Sequence, residues 1–183
     1  CISGLINLED AVKLIAHRGR LMETMPEGAM ISAAITPEDA MQLAGKYPDI
    51  SLAAVNGPMA CVFSGCSQAV GQMEEDFASQ GILCSRLKNK HAFHSANVEC
   101  IKDEFCSVLN EVSMVEPDVR CISNVDGGYF DHEKIADKEY WLRHLRGTVH
   151  FMRGIQTLQD SGEKIYIEVG PGKTLNSLVG QIL

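Results

Sequence analysis

The pentapeptide His91-Ala92-Phe93-His94-Ser95 places two imidazoles where one element ends and the next begins. It follows a strand-like run and a basic patch, Arg86-Leu87-Lys88-Asn89-Lys90, and it precedes a helix-like run. An imidazole titrates near pH ~6.5, so a histidine at such a junction can act as a general base at neutral pH. Histidine is also a common capping and surface residue, and position alone leaves both readings open. Arg18 is a second candidate, on the line 11, 15, 18, 22 of a helical segment. An arginine at the edge of an apolar stripe either snorkels to water or meets an anion.

A third pattern is a decoy. Gly65-Cys66-Ser67-Gln68-Ala69 lies between a strand and a helix and nearly spells a nucleophile elbow, but Ala69 stands where close strand-helix packing wants glycine. Ser67 is expected to be the helix N-cap, and neither it nor Cys66 is expected to be a nucleophile. The sequence holds no H-E-x-x-H, no P-loop, no dinucleotide fingerprint and no clustered Cys/His spacing. No metal and no bound cofactor is therefore expected.

The elements that must position these residues follow from periodicity. Asn7 is an N-cap with Asp10 as its reciprocal acid, and the helix they open is expected to reach about Met25. Its expected core stripe is Leu8, Ala11, Val12, Ile15, Gly19 and Met22. Next come a strand over 29–35, a helix over 37–46 opened by Thr36 and Pro37, and a strand over 50–55 ended by Asn56-Gly57-Pro58. A strand over 60–64, a helix over 67–79 and a strand over 82–86 complete the run. The order β-α-β-β-α-β is ferredoxin-like.

Beyond the histidines, Val98 to Leu109 reads as a helix and 119–125 as a strand closed by Asp126-Gly127-Gly128. Helices are expected over 137–145 and 148–158, then a strand over 164–169, the turn Gly170-Pro171-Gly172 and a last helix through Leu175, Leu178 and Ile182. Two strands are too few for a free-standing sheet, so the flanks read as part of a larger α/β unit. The start at Cys1, already leading into a helix, suggests a piece of a longer chain.

Composition narrows the class. The formal charge of −8 argues against nucleic-acid binding, which needs a cationic surface. Seven cysteines, an odd number without a C-x-x-C pair, read as reduced and mostly buried thiols of a cytoplasmic protein. No apolar run reaches membrane-spanning length, so no membrane partner is expected.

Five motifs in order resemble the malonyl-type acyltransferase domain of polyketide and fatty acid synthases and the stand-alone malonyl-CoA:acyl carrier protein transacylases. They are His17-Arg18-Gly19-Arg20-Leu21-Met22, Ala53-Ala54-Val55-Asn56-Gly57-Pro58, the 91–95 run, Tyr140-Trp141-Leu142-Arg143 and Ile167 through Leu175. The resemblance implies an α/β fold, with 1–27 and 91–183 as a portion of a large α/β-hydrolase-like subdomain and 28–90 as an inserted ferredoxin-like small subdomain. It covers only the second part of the family's domain. The family's G-H-S-x-G serine would fall just upstream of the first helix and is absent here.

The same resemblance implies roles. His94 matches the catalytic histidine that activates the serine, and Arg18 the arginine whose planar donors hold the malonyl carboxylate. Asn56 and Phe93 fall at the acyl and pantetheine pocket, and the glycines at 170 and 172 in a family loop near the histidine. The His-Ala-Phe-His-Ser form goes with malonyl specificity, as opposed to a Tyr-Ala-Ser-His form for methylmalonyl. Arg86, Lys88 and Lys90 are expected to meet an acidic acyl carrier protein or the coenzyme A phosphates. The implied reaction moves malonyl from malonyl-CoA to the serine, then to a phosphopantetheine thiol, beside other synthase domains such as a ketosynthase. A thioesterase of similar fold and a non-catalytic ligand- or carrier-binding fragment are the alternatives.

Overall fold

A computed structural model describes residues 1–183 except 132, 133, 135, 136, 163 and 164. Helix α1 spans Leu8–Glu23, opened as expected by Asn7, whose side-chain oxygen accepts from the Asp10 backbone N–H at 2.8 Å. The sheet unit follows as β1 (Ala29–Ala33), α2 (Pro37–Ala44), β2 (Ile50–Gly57), β3 (Ala60–Gly65), α3 (Ser67–Ser79) and β4 (Cys84–Arg86). Its strands lie in the order β2-β3-β1-β4, all neighbours antiparallel. That is the ferredoxin-like arrangement expected from the sequence.

Alternation along the strands decides which face is covered. Ile31, Ala33, Cys61 and Phe63 point to one side, where Ala40 of α2 and Val70, Met73 and Phe77 of α3 complete a core. Phe63 and Phe77 pack with ring centroids 5.7 Å apart. Thr36 caps α2 through the Asp39 N–H, whereas Cys66 and not Ser67 occupies the N-cap position of α3, with no side-chain capping bond. The expected Ser67 cap is thus displaced by one residue, and α3 starts on backbone geometry alone.

The chain enters and leaves this unit at one pinch. The Gly28 N–H donates to the Lys90 carbonyl at 2.9 Å, and Glu27 bridges His91. A Cβ on Gly28 would lie 2.6 Å from that of Ala92, so only glycine permits the approach.

The flanking region is mostly helical. A 3-10 turn over Ala96–Ile101 runs into α4 (Lys102–Leu109), and α5 (Lys138–Arg146), α6 (Phe151–Asp160) and α7 (Thr174–Ile182) follow. Leu14, Leu21 and Met25 pack against Val98, Ile101, Phe105, Leu109, Leu142 and Leu145 in a second core. The expected stripe of α1 is corrected here: Leu8, Val12 and Ile15 are exposed, and Leu14 and Leu21 face the core. Three apolar residues on one side of a helix do not specify the core side when both sides carry them. Together these elements form a mixed α/β fold in which a small antiparallel sheet unit is set into a larger, mainly helical region.

Other expectations change as well. Residues 119–125 form no strand; Ile122 makes one antiparallel bridge to Tyr129 across the Asp126-Gly127-Gly128 turn, with Gly127 at φ 70°. Residues 165–169 form no strand, and Ile165, Ile167 and Val169 are 81–91% exposed. Residue 164, the expected first residue of that strand, lies outside the described residues. A β-pattern becomes a strand only where a ladder partner satisfies its backbone. Helix α6 begins at Phe151, later than expected, because Val149 instead joins β2, exchanging hydrogen bonds with Ala53 and Val55 at 2.9 Å each. Of the seven cysteines, all unpaired, Cys61 alone is fully buried; Cys1 and Cys100 are exposed and the other four are half-buried. No described helix is long and apolar enough to cross a membrane.

Candidate active site

His94 lies in the left-handed region at φ 56°, the one non-glycine with positive φ among the described residues. Such a conformation is unfavourable for a side chain bearing Cβ and persists only where surrounding contacts hold it. Those contacts are visible. Ser95 is buried and its hydroxyl donates to the Ala92 carbonyl at 2.7 Å, and the ring of His94 is tied by Nδ1 to the Gly147 carbonyl at 2.9 Å. A carbonyl only accepts, so Nδ1 carries the proton and Nε2 presents a lone pair. Burial holds the His94 pKa below its ordinary value; the Gly147 bond opposes that shift and the positive charge of Arg18 adds to it. At neutral pH the ring is an uncharged base in a fixed tautomer.

The carbonyl that sets this tautomer is itself fixed. Helix α5 is opened by the Asp137 carboxylate, which accepts from the Glu139 N–H at 2.9 Å. It ends at Gly147, whose N–H donates to Arg143 O at 2.6 Å. A Cβ at 147 would approach that Arg143 oxygen to 2.8 Å, so glycine is required for the helix to end in this geometry.

Arg18 lies on the same face of α1 as Leu14 and Leu21, which explains how an arginine comes to be half-buried. Its Nε is closed to water and has no hydrogen-bond partner. Burial draws the guanidinium below its ordinary pKa, although such a group stays charged at neutral pH. Its positive charge is the least of the three influences on the His94 pKa, after burial and the Gly147 bond.

Phe93 is half-buried and touches both the second core and the small cluster of Met30, Ala53 and Val62 on the open face of the sheet. It stands at the junction of the two regions. His91 is buried and structural: its Nδ1 meets the Pro26 carbonyl at 3.3 Å beside the pinch. Asn56 is half-buried near the end of β2, and no hydrogen bond joins its side chain to a described residue. Arg86 is ion-paired to Glu74 at 2.7 Å on the sheet unit, and Lys88 and Lys90 are exposed. Gly170 and Gly172 are exposed too, with open space at the Cβ position of Gly170. The nearby carboxylate of Glu168 accepts from the N–H groups of Leu175 and Asn176, at 3.2 and 2.9 Å, capping α7. That loop has a local structural role.

One residue escaped the sequence reading. His144, on α5, lines a cavity of about 270 Å³ together with Arg18 and Trp141. Its pKa is lowered to about 4, first by burial, then by Arg18 and His94. Its spacing gave a signal, because 140, 141, 144 and 145 share one face of α5, but a lone histidine in a helix carries no chemical signature. Among the described residues no cluster of three His, Cys, Asp or Glu side chains is placed to hold a metal ion.

In its fold the chain matches the acyl transferase domain. The chain superposes on the acyl transferase domain of SpnD, solved in complex with 2-(pent-4-yn-1-yl)malonyl, with TM-score 0.94 and 30% identity, covering 100% of this chain and 44% of that one. It superposes on the malonyl CoA-acyl carrier protein transacylase of Clostridium perfringens with TM-score 0.90 and 28% identity, covering 98% and 59% of the two chains. The spectinabilin polyketide synthase system protein NorB of Streptomyces orinoci is 37% identical over 183 residues, which is 99% of this chain and 8% of that protein. The model of the acyl transferase domain matches residues 1–182, and the chain belongs to that family, homologous to the polyketide-synthase and malonyl-CoA:acyl carrier protein transacylase branches.

Proposed function

We propose that this chain supplies the base and the carboxylate clamp of a cytoplasmic acyltransferase that moves a malonyl group from coenzyme A to an acyl carrier protein. The observation that carries the reading is a tautomer-fixed, neutral His94 whose pKa feels the charge of the half-buried Arg18. The nucleophile in this account is a serine that the chain does not contain. His94 Nε2 takes the proton from that hydroxyl as its oxygen attacks the thioester carbonyl, and returns it to the departing coenzyme A sulfur when the tetrahedral intermediate collapses. In the second half, His94 takes the proton of the phosphopantetheine thiol and returns it to the serine.

Arg18 gives the acyl group its direction. A bidentate guanidinium-carboxylate contact selects a diacid, and a carboxylate on Arg18 also cancels the charge that suppresses His94. Malonyl binding thereby raises the basicity of the group that acts on it. Phe93 and Asn56 line the acyl and pantetheine path in this reading, with residues 28–90 as the small subdomain and 1–27 with 91–183 as part of the large one. Lys88 and Lys90 meet the acidic carrier or the coenzyme A phosphates, and Arg86 adds to the same patch. Other synthase modules, among them a ketosynthase, are the expected neighbours.

The test is a chimera in which residues 1–183 replace the matching segment of the acyltransferase domain from the second salinomycin module, 35% identical. Arg18→Ala in that chimera is expected to lower malonyl transfer by about 100-fold or more and to leave acetyl transfer nearly unchanged. Equal loss with both acyl groups contradicts the clamp.

A further inference from the structure

The carbonyl that fixes the His94 tautomer belongs to a segment strapped to the sheet unit. Gly147 ends α5, and the two residues after it lie along β2, an edge strand of the sheet. The Thr148 hydroxyl donates to the Leu52 carbonyl at 2.6 Å, the Val149 N–H donates to the Ala53 carbonyl at 2.9 Å, and the Val55 N–H donates back to the Val149 carbonyl at 2.9 Å. In a regular strand consecutive carbonyls point to opposite edges, so Leu52 and Ala53 would not both offer theirs to one neighbour. Here they do, at the place where β2 shifts its register against β3 between Leu52 and Ala54. Such an irregularity re-aims the backbone of a strand.

We propose that Thr148 is a positioning residue for the reaction, its hydroxyl anchoring the peptide that joins Gly147 and Thr148 to β2 so that the Gly147 carbonyl stays aimed at His94 Nδ1. This rests on the reading of His94 as the base and deepens it. A peptide unit is planar, so the direction of the Gly147 carbonyl is set by what holds the residues at its two ends. At one end the Gly147 N–H is bonded to Arg143 O at 2.6 Å; at the other the side chain of Thr148 and the backbone of Val149 are bonded to β2. Without the hydroxyl only the Val149 anchor remains on that side, one residue further from the carbonyl. The peptide can then swing. With a weaker acceptor at Nδ1 the ring proton divides between the two nitrogens, and a ring protonated at Nε2 cannot take the proton of a nucleophile. The sheet unit thereby orients the base without contributing a reacting group.

Imidazole nitrogen shifts in NMR distinguish the two tautomers, and the comparison is made on the 183-residue chain, above the titration of His94, with Thr148→Val, Thr148→Ala and Thr148→Ser. Arg18 of α1 acts on the charge of His94, and His94 on that of His144 in α5; the variants keep all three. The unaltered ring is expected to show a protonated Nδ1 and a bare Nε2. Thr148→Val and Thr148→Ala are expected to shift the population toward protonated Nε2 by about 2- to 10-fold, the factor that one neutral hydrogen bond contributes to an equilibrium. Thr148→Ser is expected to restore the original pattern. The Gly147 bond raises the His94 pKa against burial, so its loss is expected to lower the titration midpoint as well. In the salinomycin chimera kcat for malonyl transfer is expected to fall by about the same factor, with KM nearly unchanged. Alanine and serine at 148 differ only in the hydroxyl, so their comparison separates the effect from a misfit of valine. A tautomer and midpoint unmoved by Thr148→Ala and Thr148→Val, with only urea stability reduced, makes the hydroxyl a structural contact and overturns the proposal while His94 remains the base. A chimera carrying His94→Ala that acylates at the parent rate overturns the base itself.

Discussion

The sheet unit and its helical surroundings solve the burial problem differently. In the sheet unit Ile31, Cys61, Phe63, Val70 and Met73 are fully buried, closed in by two helices on one face. In the flanks, Leu8, Val12 and Ile15 on α1 and Ile165, Ile167 and Val169 in the 165–169 run remain on the surface. The first region is a local α+β unit whose six elements satisfy one another. The second packs its core from α1, the 3-10 turn, α4 and α5, and carries further apolar residues that are exposed. Stability is expected to reside in the sheet unit and chemistry in the flank.

The sharpest test of that contrast pairs Phe63→Ala with Ile167→Ser. The first removes a fully buried ring packed at a tilt against Phe77 and should cost about 3–5 kcal/mol in urea unfolding. The second, on a residue 81% exposed, should stay within about 0.5 kcal/mol. Comparable losses would show that the 165–169 run is covered in solution.

Acid should act on the flank. His144 titrates at about 4 in the folded chain and near ~6.5 unfolded, so below pH ~6.5 the unfolded chain binds the extra proton first. Stability from this group is full above pH ~6.5 and declines until about pH 4, by at most roughly 3 kcal/mol; His94 and His150, also lowered by burial, act in the same direction. His144→Asn should flatten that decline measurably in urea unfolding across this range, and an unchanged profile would remove His144 as its source.

The electrostatic link between Arg18 and His94 gives a smaller effect. Arg18→Gln removes a charge that depresses His94, so the histidine's titration midpoint by NMR should rise. No movement, or a fall, would break the pairing. The smallest expected change is at Arg86, whose exposed ion pair with Glu74 should contribute about 0.2–1 kcal/mol when tested by Arg86→Ala.

Much of the sheet unit was legible because its signals are local. The cap at Thr36 and the period-two strands each point to one structure, although β2 runs on through Asn56 and Gly57 to a turn at Pro58 and Met59. The flank was harder. Residues 119–125 and 165–169 carry strand patterns, but a strand needs a partner that pattern does not name. Helix α1 has apolar residues on two sides, so periodicity chose Leu8, Val12 and Ile15 where packing chose Leu14 and Leu21. Around the site, His94 and Arg18 stood out through motif resemblance, while His144 became visible only when α5 was packed against α1.

The most direct measurement is intact mass after incubation with malonyl-CoA, made on the 183-residue chain, on the salinomycin chimera and on the chimera carrying His94→Ala. The account predicts a malonyl adduct on the chimera's serine, a strongly slowed adduct with His94→Ala, and none on the 183-residue chain. An adduct on the 183-residue chain itself would contradict it, placing a nucleophile at Cys66 or Ser67, where the sequence and the fold assign none.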